Sequence, residues 1–128
     1  GQVVRFALQQ CKMHDDYYSA WLPCEKKYER YNWIHAYPNA AAQVITLWFG
    51  TNDFTNMLAV CGGCGQDVDC NAAQMATVLG TIIGADAIDD YWKKPIGDNL
   101  DTYVRGLKKM SIRQLAKDTA DIARKLAK

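Results

Sequence analysis

Apolar residues recur three and four positions apart along most of this chain, and nowhere do they alternate with polar ones over the length of a half-buried strand. That pattern restricts the fold to packed helices. Residues 3–13 (VVRFALQQCKM) and 15–31 (DDYYSAWLPCEKKYERY) carry it first; Asp15-Asp16 suits a helix start, and Pro23 marks a kink, a break or a new start. From Pro38 the run NAAAQVITLWFG is expected to begin at Asn39 as N-cap and to stop at Gly50. A short helix follows in DFTNMLAVC and runs into a glycine-rich stretch. The next helix extends from that stretch to Ile83, stops near Gly84, and places Ala73, Ala76, Gly80 and Gly84 on one side as a surface for close backbone approach. Ser111 and Gln114 make a capping box before a last helix, whose stripe is Ile112, Leu115, Ala116, Thr119, Ile122, Ala123 and Leu126. Trp48, Phe49 and Trp92 are read as core. The expected fold class is all-α, with no internal repeat and no low-complexity linker.

A chain of 128 residues, 49% hydrophobic and 23% charged, suffices for one domain with its own core. No apolar run reaches the roughly 18 residues of a membrane span, and the charged-then-apolar layout of a secretory signal is missing, so no membrane partner is expected. A net charge of +1 gives no overall attraction to nucleic acid, and none is expected as a partner. The basic residues between Lys108 and Lys128 fall between apolar positions, as on a solvated helix face. Cys11, Cys24, Cys61, Cys64 and Cys70 are an odd set in a chain large enough to have a core, which favours a reducing, cytoplasmic setting over a disulfide framework. The sequence opens on Gly1 and not Met, as a processed or excised piece of a longer protein would.

The stretch CGGCGQDVDCNAAQMATVLGTIIG, residues 61–84, concentrates glycines, thiols and two carboxylates in front of a helix. Its CGGC has the spacing of a redox pair or of half a zinc site, but no βαβ pattern accompanies it and no second pair of ligands stands at a recognised spacing. Phosphate cradling suits the glycines and the helix N-terminus, yet no Lys-Ser/Thr follows, and Asp67 and Asp69 would repel a phosphate unless a cation lay between. Those two carboxylates therefore point to a hard divalent cation. A self-contained calcium loop is excluded, because the acid that should close it would fall in TVLG.

GCGQDVDCNAAQMATVLGTIIG resembles the C-terminal metal-binding motif of the ADP-ribosylglycohydrolase family: a glycine-rich turn, Asp-x-Asp followed by Thr, Ser or Cys, then a small-residue helix ending in glycine. HAYPNAAAQVITLWFGTNDFTNMLAVC is similar to the family segment that precedes that motif, and SIRQLAKDTADIARKLA to the tail helix of its longer members. The resemblance implies an all-α orthogonal bundle that hydrolyses the bond between ADP-ribose and a side chain or small acceptor, using two Mg²⁺ or Mn²⁺ ions. It implies Asp67 and Asp69 as metal ligands, with Cys70 where many members place a coordinating Thr. Gly63, Gly65, Asn71, His35 and Asn39 are then expected at the substrate, with Asn71 and the glycines at 62, 63 and 65 shaping the loop.

Family enzymes take the rest of the site from an upstream Ser/Thr-Asp-Asp motif, which has no counterpart here; MHDD at 13–16 lacks the hydroxyl and stands too close to Asp67. The chain is thus expected to be the C-terminal part of a catalytic domain. Its partners would be the N-terminal part of the same enzyme and an ADP-ribosylated protein or small molecule, with the general acid or base outside these residues. Two other classes remain at this point: a non-catalytic helical interaction domain in which Asp67 and Asp69 only cap a helix, and a CxxC redox or zinc module.

Overall fold

Helix starts in this protein are written largely in aspartate. In the computed structural model, which describes residues 1–50 and 53–127, the chain forms two compact units, Gly1–Ile88 and Asp89–Lys128. The first holds α1 (Gln2–Met13), α2 (Tyr17–Tyr28), α3 (Ala36–Gly50), α4 (Phe54–Cys64) and α5 (Val68–Ile83), then a 3₁₀ turn at Ala85–Ala87. Asp16 caps α2 by accepting from the Ser19 amide at 2.9 Å, and Asp53 caps α4 through the Asn56 amide at 3.0 Å. Pro23 lies inside α2 without ending it. The helix forgoes one backbone bond there, and burial of Trp21 and Cys24 on its inner side offsets the loss.

Asn39 is not the N-cap of α3. The helix begins one turn earlier, at Ala36, and the His35 ring stands at its start with Nδ1 accepting from the Tyr37 amide at 3.1 Å. Pro38 is tolerated because it falls in the first turn, where a backbone N–H has no intrahelical acceptor to lose. Asn39 thereby moves inside the helix and is buried.

α3 is the central element of this unit and packs on α1, α2, α4 and α5. Its Ala41, Ala42 and Ile45 join Ala7, Cys11, Trp21, Cys24 and Cys64 in one core cluster; Met57, Met75 and Leu79 form a second. At Gly50 the approach of α4 is so close that an added Cβ would lie 2.7 Å from the Met57 Cα. The inner face of α5 is Asn71, Met75 and Leu79, while Ala73 is exposed and Ala76 and Gly80 only half-buried. The stripe of small residues is therefore not the buried one, because Met75 and Leu79 carry more apolar area to remove from water. Trp48 is 47% exposed, Phe49 partly buried and Trp92 half-buried; Trp21, at 2%, is the core tryptophan.

The second unit contains α6 (Asp90–Lys93), strands β1 (Asn99–Asp101) and β2 (Lys109–Ser111), and α7 (Ile112–Leu126). The two strands pair antiparallel with Leu100 opposite Met110. Three residues each is too short for alternation to show, which is why the sequence reads as strand-free. Ser111 caps α7 by accepting from the Gln114 amide at 3.0 Å, while the Gln114 side chain donates forward to Asp118 in place of closing the box. Asp98 accepts from Ser111 Oγ and from the Arg113 amide, and these bonds hold its carboxyl below the usual carboxylate range. No α7 side chain is buried, and among the described residues no helix is long and apolar enough to cross a membrane. The fold is helical apart from that small hairpin.

Gly50→Ala is expected to lower stability by about 1–3 kcal/mol, since the clash is with backbone and the helices must part; chemical denaturation checks this. Asp98 binds protons more weakly folded than unfolded, so its contribution is present above about pH 4 and is lost as pH falls through the lowered value. Faster exchange of the Arg113 amide in acid, reproduced at neutral pH by Asp98→Ala, is the expected result.

Candidate metal centre

The glycine-rich stretch is shorter as a loop than its sequence suggests. α4 continues through Gly62 and Gly63 to Cys64, so Gly62 and Gly63 belong to a helix and only Gly65, Gln66 and Asp67 connect α4 to α5. Gly63 leaves room for the Tyr17 ring, whose Cε2 lies 2.8 Å from where a Cβ would stand. Gly65 takes φ 69° and ψ −141°, a conformation open essentially to glycine alone, and Gln66 also has positive φ, at 66°. Two reversed residues in succession turn the chain sharply and deliver Asp67 to the start of α5.

Asp67 occupies the N-cap position, and the α5 bond from the Asn71 amide to its carbonyl closes at 2.9 Å. Its side chain, however, makes no capping hydrogen bond. Asp16, Asp53 and Asp89 all spend a carboxylate oxygen on the amides of their helices. The Asp67 carboxylate instead joins Asp69 and Cys70, whose ligating atoms all lie within 4.8 Å of one another and of it. Among the described residues no other group of three such side chains exists. All three face or approach solvent at the positive end of α5, which favours negative charge.

The donor chemistry is uneven. Asp67 and Asp69 offer hard oxygens that suit Mg²⁺ or Mn²⁺. The Cys70 thiol is pushed upward, first by donating to the Asp67 carboxylate and then by the charges of Asp67 and Asp69, so at neutral pH it remains a protonated, soft donor that suits such ions poorly. The donor set thus fits a hard cation through its carboxylates.

Beneath the loop, Asn39 and Asn71 are buried and bonded to each other, Asn71 Nδ2 donating to Asn39 Oδ1 at 2.6 Å. The same Asn39 oxygen accepts the Asp67 amide at 3.1 Å, and Asn39 Nδ2 donates to the carbonyls of Trp33 and His35. His35 stacks on Tyr31 at 4.3 Å between centroids and meets Tyr37 edge-on at 4.8 Å. Because its Nδ1 accepts, the neutral ring carries its proton on Nε2. The expected residues Asp67, Asp69, Cys70, Gly65, Asn71 and Asn39 therefore converge on one loop and its support; His35 is tied in through its carbonyl, and Gly63 stands on α4. Gln43 escaped the sequence reading, although a polar residue one turn after Asn39 on an otherwise apolar helix was a usable signal.

The CGGC thiols do not form a reactive pair. Cys61 and Cys64 are buried, and burial pushes Cys61 up and Cys64 to about 12; Cys11 and Cys24, also buried, rise to about 11 and about 12. Such thiols are poor nucleophiles. A maleimide reagent is therefore expected to modify Cys70 rapidly in the folded chain and the other four only after denaturation, as mass spectrometry of the timed products would reveal; early labelling at Cys61 or Cys64 would contradict their placement.

Comparison with known proteins agrees with this architecture on one point and is silent elsewhere. No curated protein and no solved structure matches the chain. The family model for ADP-ribosylglycohydrolase matches residues 2–127, nearly the whole sequence. The chain belongs to the ADP-ribosylglycohydrolase family.

Proposed function

We propose that this chain supplies the Asp67–Asp69 half of a divalent-cation centre in an enzyme that hydrolyses the glycosidic bond of ADP-ribosylated proteins or small molecules. The observation that carries the reading is the Asp67 carboxylate: it stands at an N-cap and leaves the cap unmade, whereas the other N-cap aspartates bond to their helices. A purely structural aspartate at that position has every reason to bond to the helix it precedes. Left free beside Asp69, it is a ligand oxygen in search of a cation.

In this proposal Asp67 and Asp69 hold Mg²⁺ or Mn²⁺, two ions in the complete site, and Cys70 is a neighbour that contributes weakly. When bound, such ions orient ribose hydroxyls, stabilise developing negative charge and make water a better nucleophile. The chain's own residues supply the rest. The N-terminus of α5 offers a favourable field to anionic oxygens. Gly65 lets ligand approach the loop backbone without a side chain in the way. His35, neutral and with Nε2–H available, is placed to donate to a substrate oxygen. Asn39 and Asn71 hold the loop from below. The remaining ligands and the general acid or base come from the N-terminal part of the same enzyme, outside these residues.

Asp67→Asn and Asp69→Asn are each expected to weaken Mn²⁺ binding to the chain by an order of magnitude or more, since the ligand charge is removed. Helical content should be unchanged in both, and the thermal midpoint of Asp67→Asn equal or slightly higher, because Asn caps as well as Asp. Either variant is expected to lose most ADP-ribose release when introduced into the complete enzyme. Wild-type Mn²⁺ affinity in both variants, measured by paramagnetic resonance, would remove the assignment. The chain by itself is expected to bind Mg²⁺ weakly and to release no ADP-ribose, and robust turnover by the purified chain would overturn the division of the site.

A further inference from the structure

The support under Asp67 is a series of amides, and its orientation is set at the far end. Gln43 lies on α3 one turn after Asn39, and Gln74 lies on α5 one turn after Asn71. Gln43 Nε2 donates to Asn71 Oδ1 at 2.8 Å and to Gln74 Oε1 at 2.9 Å. With its oxygen committed to Gln43, Asn71 must present Nδ2 to Asn39, and it does, at 2.6 Å. The Asn39 oxygen is thereby fixed as an acceptor and takes the Asp67 amide as its second donor, while its Nδ2 goes to the Trp33 and His35 carbonyls. Reversing Asn71 would oppose its oxygen to that of Asn39 and its NH₂ to that of Gln43. Asn71 is 1% exposed and Asn39 8%, so solvent does little to relieve such a mismatch.

We propose that Gln43 is a positioning residue for the cation centre: by donating to Asn71 it orients Asn71 and then Asn39, which holds the Asp67 amide and so places the Asp67 carboxylate beside Asp69. The proposal rests on the reading of Asp67 and Asp69 as cation ligands. Gln43 touches neither carboxylate and acts only through the two asparagines. Its second acceptor, Gln74, is a side branch that leads nowhere near Asp67, which supplies an internal control.

The test uses the whole chain, Mn²⁺ as the ligand, and four variants: Gln43→Met, which keeps length and loses both donors; Gln43→Glu, which keeps shape and cannot donate when ionised; Gln74→Met; and Asp67→Asn. Mn²⁺ affinity is measured by paramagnetic resonance, and exchange of the Asp67 backbone amide by NMR without cation. Both Gln43 variants are expected to weaken Mn²⁺ binding on the order of tenfold and to speed Asp67 amide exchange comparably, with Gln74→Met close to wild type. A general loss of packing would move Gln74→Met as well, and that result would overturn the proposal. So would wild-type Asp67 exchange and Mn²⁺ affinity in both Gln43 variants while Asp67→Asn still weakens the ion, which would leave the centre itself standing. Unchanged Mn²⁺ affinity in Asp67→Asn would remove the centre and the proposal together.

Discussion

The hydrogen bond between Asn39 and Asn71 is the contact on which the loop geometry depends. Two amides removed from water must find all their partners inside the protein, because each unsatisfied group costs on the order of 1–3 kcal/mol. Only one register of α3 against α5 lets Asn71 reach Asn39 while Met75 and Leu79, one and two turns further along, enter the apolar cluster with Met57. Apolar side chains alone tolerate small slides. An amide pair does not, and here it converts a greasy helix contact into a located one.

That location matters because of what α5 carries at its start. Asp67 and Asp69 bring two negative charges to one helix end, and no described basic side chain forms an ion pair with them. The helix dipole compensates part of that charge, yet the Asp67 carboxylate is withheld from the amides that would make the compensation complete. Stability would be served by capping. The arrangement gives some of it up at one point and keeps it at Asp16, Asp53 and Asp89, where the same residue type bonds to the helix it begins.

Much of this was legible in the residues because it is local or chemically unusual. Helical spacing located α1, α2 and α7, the Asp-x-Asp spacing located the carboxylates, and the start of α2 at Asp16 followed from capping chemistry. What escaped was set by tertiary contacts. Asn39 looks like an N-cap by composition, but its burial against Asn71 comes from a partner more than thirty positions away. Gly62 and Gly63 look like loop residues because glycine weakens helices, yet packing of the Tyr17 ring and burial of Cys64 extend α4 through them. The stripe of small residues on α5 promised a packing face, while the larger side chains on another face decided which one was buried. β1 and β2 were invisible because three-residue strands have no period to detect.

The glycines of unit Gly1–Ile88 answer to different physics, and this bears on how variation in the family should be interpreted. At Gly50 the obstacle is the Met57 backbone, so every side chain is excluded for lack of space. At Gly65 there is open space and the obstacle is the backbone angle itself. Among homologues, glycine retained at the first position would report how closely two helices approach, whatever the protein catalyses. Glycine retained at the second would report the shape of the turn that presents the carboxylates. A relative that had lost its catalytic role would be free to drift at position 65 while position 50 stayed closed, so the two sites together separate selection for folding from selection for chemistry.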